Sequence, residues 1–234
     1  LWHPGRGVPL GDAIRQFQSV IENSYGRVTD PPTTVANTLL LARVWGSRAT
    51  LEALLEYDNV VRVDLPPRLP SFEFSIFDQV DVPETVDNLP EDAPLACVID
   101  SGIVAGHPLL TGLVVAERDF DSGENTYVDL TGHGTHVAGI VAYGDVRQCL
   151  EDNQWQPKVR LLNGKVMKRD AFGGAEFADA TRAETQIGQA IEYFVEEYDC
   201  RVFNLSLGDS TRRYEGRRQL SMALMLDELA RKHN

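Results

Sequence analysis

Leu95-Ala96-Cys97-Val98-Ile99-Asp100-Ser101-Gly102 is an apolar run that ends on a carboxylate followed by two small residues. Consecutive apolar side chains, β-branched ones among them, suit a strand buried on both faces, the setting of a parallel sheet covered by helices. Such a strand delivers Asp100 to its carboxyl end, the edge at which ligands and chemistry collect in open α/β sheets. Ser101 and Gly102 then allow a tight turn. Downstream, strand and helix alternate. The pattern predicts a helix over about 133–143, a strand over 159–166, a helix over 181–198, a strand over 201–207 and a last helix over 217–232 carrying Leu220, Leu224, Leu226 and Leu229. Residues 94–234 are therefore expected to form an α/β, doubly wound parallel sheet. The last helix calls for a further strand. A sheet without its later strands would expose an apolar edge, so the rest of the domain or a second chain is expected to accompany these residues.

Upstream, Ile14, Phe17, Val20 and Ile21 recur at helical spacing, and residues 38–45 form an apolar run of strand character. Ser47 can cap a short helix carrying Leu51, Leu54 and Leu55, and Val60, Val61 and Val63 read as a strand that stops before Pro66-Pro67. Residues 1–65 thus read as a small α/β unit containing a β-α-β piece. From 66 to 93 the scattered prolines deny the chain helix interiors and ladder donors, which marks a linker. Phe72, Phe74 and Phe77 within it are expected to pack on a neighbouring domain, since each ring left in water forgoes about 1.5–3 kcal/mol.

The 22 Lys and Arg against 35 Asp and Glu leave a net charge of −13, which repels phosphate backbones and excludes nucleic acid as the expected partner. No apolar run approaches the ~20 residues that a helical membrane crossing needs. Cys97, Cys149 and Cys200 are odd in number, lie far apart and contain no C-x-x-C pair, so they read as free thiols. Unpaired thiols favour a cytoplasmic compartment, while a chain that opens on Leu1 is also compatible with a removed signal peptide.

Gly132-His133-Gly134-Thr135-His136-Val137-Ala138-Gly139 opens a helix whose small residues Ala138, Gly139 and Ala142 allow close packing on the sheet. A histidine in that first turn can take a proton through one ring nitrogen while the other donates to a carboxylate, the parts that His133 and Asp100 would play. His136, one turn on, is expected to point along the same face as an inward structural partner. A metal site of Asp100, His133 and His136 is disfavoured: zinc helices space their histidines four apart with a glutamate between, whereas here the spacing is three with Gly and Thr between. No metal and no cofactor are expected.

These motifs resemble those of the subtilisin-like (subtilase) family of serine endopeptidases. The aspartate box is matched by Val98-Ile99-Asp100-Ser101-Gly102-Ile103 with the trailing His107-Pro108, and the histidine box by residues 132–139. Lys165-Val166-Met167 resembles the strand after the histidine helix, and Val202-Phe203-Asn204-Leu205-Ser206-Leu207-Gly208 a third family segment. The resemblance covers about 94–234. It implies peptide-bond hydrolysis through an acyl-enzyme, with Asp100 and His133 catalytic, a polypeptide substrate, and Ser206, Leu207 and Gly208 as the edge that pairs with it. Ser206 aligns with a backbone-binding position and not with the nucleophile. The family's serine and oxyanion asparagine lie further along than Asn234, so residues 1–234 alone are expected to be inert. Where many members carry a calcium-binding aspartate after His-Pro, this chain has Leu109. More loosely, residues 51–55 and 59–64 resemble part of a subtilase propeptide, and a permanently attached accessory domain accounts for the same residues. Two other readings compete with a protease: a pseudo-protease that binds peptides without chemistry, and a nucleotide-binding α/β protein. The latter is disfavoured because no G-x-G-x-x-G or Walker loop follows any strand.

Overall fold

The computed structural model describes residues 1–5, 7–35, 39–66, 83, 86–87, 89–208, 216 and 219–233. Phe72, Phe74 and Phe77 lie outside them. The chain divides into two compact units, Leu1–Pro66 with Asp179–Thr185 and Tyr214–Asn234, and Pro67–Ala178 with Gln186–Arg213.

In the first unit, helix α1 (Leu10–Asn23) buries Ala13, Phe17 and Ile21, residues four apart that share one face. They pack with Trp2, Leu40 and Leu54, and the Trp2 ring stacks on Phe17 at 4.5 Å between centroids. Strands β1 (Arg27–Val35) and β2 (Leu39–Trp45) pair antiparallel, and helix α2 (Arg48–Glu56) follows, its start closed by the Ser47 amide donating to Thr50 Oγ1 at 3.2 Å. The guanidinium of buried Arg182 ties residues 179–185 to this hairpin. It donates to Asp30 Oδ2 at 2.5 Å, to the Leu41 carbonyl at 2.7 Å and to the Pro31 carbonyl at 2.8 Å. Helix α6 (Ser221–Lys232) also belongs to this unit.

Two expectations for this unit are corrected. Strand β1 was not anticipated, because Asp30-Pro31-Pro32 reads as a break; the ladder accommodates it by slipping register between Val28 and Asp30 and again between Asp30 and Thr33. Val60, Val61 and Val63 do not form a strand. Only Val60 makes a bridge, to Trp2, which also bridges Leu40, while Val61 and Val63 are exposed and have no core to cover. The β-α-β piece is therefore an antiparallel hairpin with a helix behind it.

The second unit is built on a four-stranded parallel sheet in the order β4 (Val114–Asp119), β5 (Arg160–Lys165), β3 (Leu95–Asp100), β8 (Phe203–Asn204). Helix α3 (His133–Tyr143) buries Val137, Ala138 and Ala142 against Val98 and Leu161 on one face. Helix α5 (Ala183–Tyr198) lies against the other, where a Cβ on Gly164 would sit 3.2 Å from Phe194 and 3.4 Å from Ile99. Helices on both faces of a parallel sheet give the α/β architecture expected. Three elements between these were not anticipated: β4, the short helix α4 (Val146–Asp152), and the hairpin of β6 (Met167–Arg169) and β7 (Ala175–Phe177). The strand expected over 201–207 pairs only at Phe203 and Asn204. Leu109 is buried in the core, where its carbonyl accepts from Tyr143 Oη at 2.6 Å. Among the described residues, no helix is long and apolar enough to cross a membrane.

Cys97 and Cys200 are buried while Cys149 is partly exposed, and burial raises the first two thiols above their ordinary range. Since the thiolate is the reactive form, maleimide is expected to modify Cys149 in native protein and to reach Cys97 and Cys200 only on unfolding. Peptide mapping checks this, and fast native labelling of Cys97 would contradict the packing of β3.

Candidate active site

Asp100 is the last residue of β3, and its side chain is fully buried. Its Oδ1 accepts from its neighbour's amide, Ser101 N, at 2.7 Å and contacts His133 Nδ1 at 2.7 Å. His133 is the first residue of α3, so one strand end and one helix start bring the two predicted side chains together. The imidazole is largely covered, with 14% of its side chain exposed. The hydrogen bond to Asp100 holds its pKa above the ordinary value of 6.5; burial opposes this, and the charges of Asp100 and Asp129 reinforce it.

Glycines permit this approach. Gly102 has φ +104°, and a Cβ there would lie 2.4 Å from the Tyr127 carbonyl oxygen. Gly134 sits where α3 passes over the turn, and a Cβ on it would lie 2.1 Å from the Gly102 carbonyl oxygen and 3.2 Å from Asp100 Cβ.

The start of α3 leaves no amide idle. Gly132 N donates to Asp129 Oδ1 at 3.0 Å, His133 N to Thr131 Oγ1 at 3.2 Å, Gly134 N to Ser101 Oγ at 3.0 Å and Thr135 N to Asp129 Oδ2 at 2.9 Å. The first helical bond, from His136 N to the Gly132 carbonyl, follows at 3.1 Å. A helix terminus ordinarily leaves these donors unpaired, and here side chains from three positions take them all. Asp129, 5% exposed, also accepts from Ser101 Oγ at 2.9 Å and Thr135 Oγ1 at 2.7 Å. Burial pushes its carboxyl up, but the bonds from Thr135, Thr131 and Ser101 outweigh that and hold it below its ordinary range.

Beneath this loop, β5 contributes two buried polar side chains. Asn163 Nδ2 donates to the Tyr127 carbonyl at 3.0 Å and to Glu117 Oε2 at 2.9 Å. Lys165, fully buried and opposite Asp100 in the ladder, donates to the Val128 carbonyl at 2.6 Å and pairs with Glu124 at 2.6 Å. The sequence reading singled out neither Asp129 nor Asn163, and Lys165 only as part of a family-like segment; Asp129 lies four residues before His133, outside the N-cap position, so no local capping signal marks it.

His136 is not the inward partner expected. It is exposed and its Nδ1 contacts the Gly132 carbonyl. Three helical positions advance by about 300°, so it stands ~60° away from His133, and it is turned to solvent. Ser206, Leu207 and Gly208 follow β8 beyond its pairing with β3 and take part in no sheet ladder among the described residues. Ser206 Oγ donates to Asn204 Oδ1 at 3.0 Å.

The sequence model of the Subtilase family matches residues 92–233, and that of the Y4kK central domain matches residues 1–65. The thermophilic serine proteinase of Bacillus sp. (strain AK1) is 33% identical over 111 residues, covering 47% of this chain and 25% of that protein. Thermitase of Thermoactinomyces vulgaris is 27% identical over 135 residues, covering 56% and 43%. Serine protease AprX of Bacillus subtilis (strain 168) is 26% identical over 133 residues, covering 56% and 29%. The chain thus spans less than half the length of each of these relatives.

Proposed function

The chain belongs to the subtilase family of serine proteases, and from that premise we propose that it is the proximal part of an endopeptidase in which Asp100 and His133 are two members of a catalytic triad. The observation that carries this reading is the 2.7 Å contact of His133 Nδ1 with a fully buried carboxylate. With Nδ1–H held by Asp100, the proton-free Nε2 is the nitrogen able to take a proton from a serine hydroxyl. His133 then takes that proton as the hydroxyl attacks the peptide carbonyl, and gives it to the leaving amine as the acyl-enzyme forms. Asp100 fixes the tautomer and stabilises the imidazolium. The serine and the oxyanion donors are supplied by residues beyond 234 or by a second chain, which also covers the edge of the sheet. The segment Ser206, Leu207 and Gly208, exposed at Ser206 and Gly208 and half-buried at Leu207, offers an extended peptide a strand to pair with.

The test is fluorophosphonate labelling of the protein expressed from its entire reading frame, with His133→Ala as control and mapping of the adduct. Labelling of a serine beyond residue 234 that vanishes in the control supports the reading. No labelling of folded protein overturns it in favour of a pseudo-protease that binds peptides. The raised pKa of His133 has two consequences of stated sign. Only the neutral imidazole is a base, so kcat/KM is expected to fall on acidification through an apparent pKa above 6.5. The same shift contributes stability that is fully present below about 6.5 and lost as pH rises through the folded value. An acidic limb at or below 6.5 would contradict the first.

A further inference from the structure

We propose that Asp129 is a positioning residue for His133, a second buried carboxylate that fixes the first turn of α3 to the end of β3 and so sets the approach of the imidazole to Asp100. The inference rests on reading His133 as the general base. Asp129 touches neither the imidazole nor Asp100 among the hydrogen bonds described; it acts on what carries them. Its Oδ1 accepts from Gly132 N, Thr131 N at 2.9 Å and Ser101 Oγ, and its Oδ2 from Thr135 N and Oγ1. Gly132 and Thr135 bracket His133 in sequence, so one carboxylate grips the backbone on both sides of it. Ser101 directly follows Asp100, and its hydroxyl both donates to Asp129 and accepts from Gly134 N. The result is a closed circuit from Asp100 through Ser101 and Asp129 to the turn that bears His133.

A neutral cap could satisfy some of these amides. It would not satisfy them all, because only an ionised carboxylate offers two oxygens that accept without donating. Its charge also lies at the positive end of the α3 dipole and close enough to act on the imidazole. Asp100 from β3 and Asp129 from the loop are among the charged side chains that act on His133. Asp129 is itself held from below: Lys165 binds the carbonyl of Val128, the preceding residue, and Asn163 that of Tyr127. The buried cation of β5, opposite Asp100, thus acts on the site through the loop.

The experiment compares Asp129→Asn and Thr135→Val with wild type in the full-length protein. It measures kcat and KM per titrated active site, the pH profile, and the NMR titration of the His133 imidazole assigned with His133→Ala. Asp129→Asn is expected to lower kcat about 10- to 100-fold while KM stays within about twofold, the signature of displaced catalytic geometry. Its acidic limb and its His133 titration are both expected to move to lower pH, because a negative charge that favours the imidazolium has gone. Thr135→Val keeps the charge and removes the 2.7 Å bond to Oδ2, together with the acceptor of Val104 N. It is expected to lower kcat less and to leave the titration in place. A merely structural capping role would reduce the fraction of active sites and the melting temperature without moving the titration. That result, or folded Asp129→Asn with unchanged kcat and titration, overturns the proposal. Should Asp129→Asn fail to fold, unchanged kcat in Thr135→Val overturns it. If the parent hydrolyses no peptide, the proposed function falls, and the His133 titration still decides whether Asp129 acts on that ring.

Discussion

Asp100→Asn in the complete protein is expected to lower kcat about 10⁴-fold at neutral pH with little change in KM. The size follows from how few options an amide has at this position. Asp100 Oδ1 is shared by the Ser101 amide and His133 Nδ1, while Oδ2 is buried with no hydrogen-bond partner among the described residues. If the asparagine keeps its oxygen at the shared position, its NH₂ takes the place of Oδ2, where a buried donor without an acceptor costs roughly 1–3 kcal/mol. If it flips, the NH₂ confronts the Ser101 N–H and donates to His133 Nδ1. That forces the proton onto Nε2, the nitrogen that must be free to accept one from the nucleophile. In both orientations the imidazolium loses the charge that stabilises it. The measurement is kcat per folded site on a peptide substrate, with folding verified by circular dichroism. A loss below about tenfold would mean that Asp100 does not orient the base, and would remove the main support for a triad.

Why these two residues were legible, and their supports were not, has a physical basis. Asp100 and His133 each stand at the end of a regular element that the local pattern identifies: five apolar residues run into Asp100, and a small-residue helix begins at His133. An element end has a fixed place on the sheet edge, so a one-dimensional pattern suffices to bring the pair together. Lys165 ends a strand and Asp129 lies in an irregular loop, positions where a charged residue ordinarily meets water. Their burial exists only because the loop folds over the end of β5, which no local periodicity records. The same contrast holds for the fold. A buried strand such as β3 announces itself by a hydrophobic run, whereas β1 hides behind Asp30-Pro31-Pro32 because its register slips twice to admit them. The spacing of His136 misled for a related reason. A three-residue interval leaves the two rings about 60° apart around the helix, near enough to share a face, so only the packing around α3 decides that His133 is covered while His136 is exposed.

Gly134→Ala is expected to destabilise the protein by about 1–3 kcal/mol and to lower kcat at least about 100-fold, the reverse of what alanine does in an ordinary helix. Helix propensity alone favours alanine over glycine by about 1 kcal/mol at an interior position. At Gly134 the new methyl would lie 2.1 Å from the Gly102 carbonyl oxygen and 3.2 Å from Asp100 Cβ. The first obstacle is backbone and cannot rotate away. It belongs to a residue at φ +104° whose own Cβ position is blocked by the Tyr127 carbonyl, so the turn has little freedom to yield. Relief therefore requires α3 to lift from the end of β3, which carries His133 away from Asp100 and breaks the bond from Gly134 N to Ser101. A shift of about 1 Å suffices to cost catalysis two orders of magnitude. Gly139 supplies the internal control, since a Cβ there meets nothing within 4 Å. Gly139→Ala in the same helix is expected to raise the unfolding midpoint, by an amount consistent with about 1 kcal/mol, and to leave kcat unchanged. Thermal unfolding of both variants of the full-length protein decides the matter: parallel shifts of one sign would show that α3 does not approach the Asp100 turn as closely as the Gly134 contacts require.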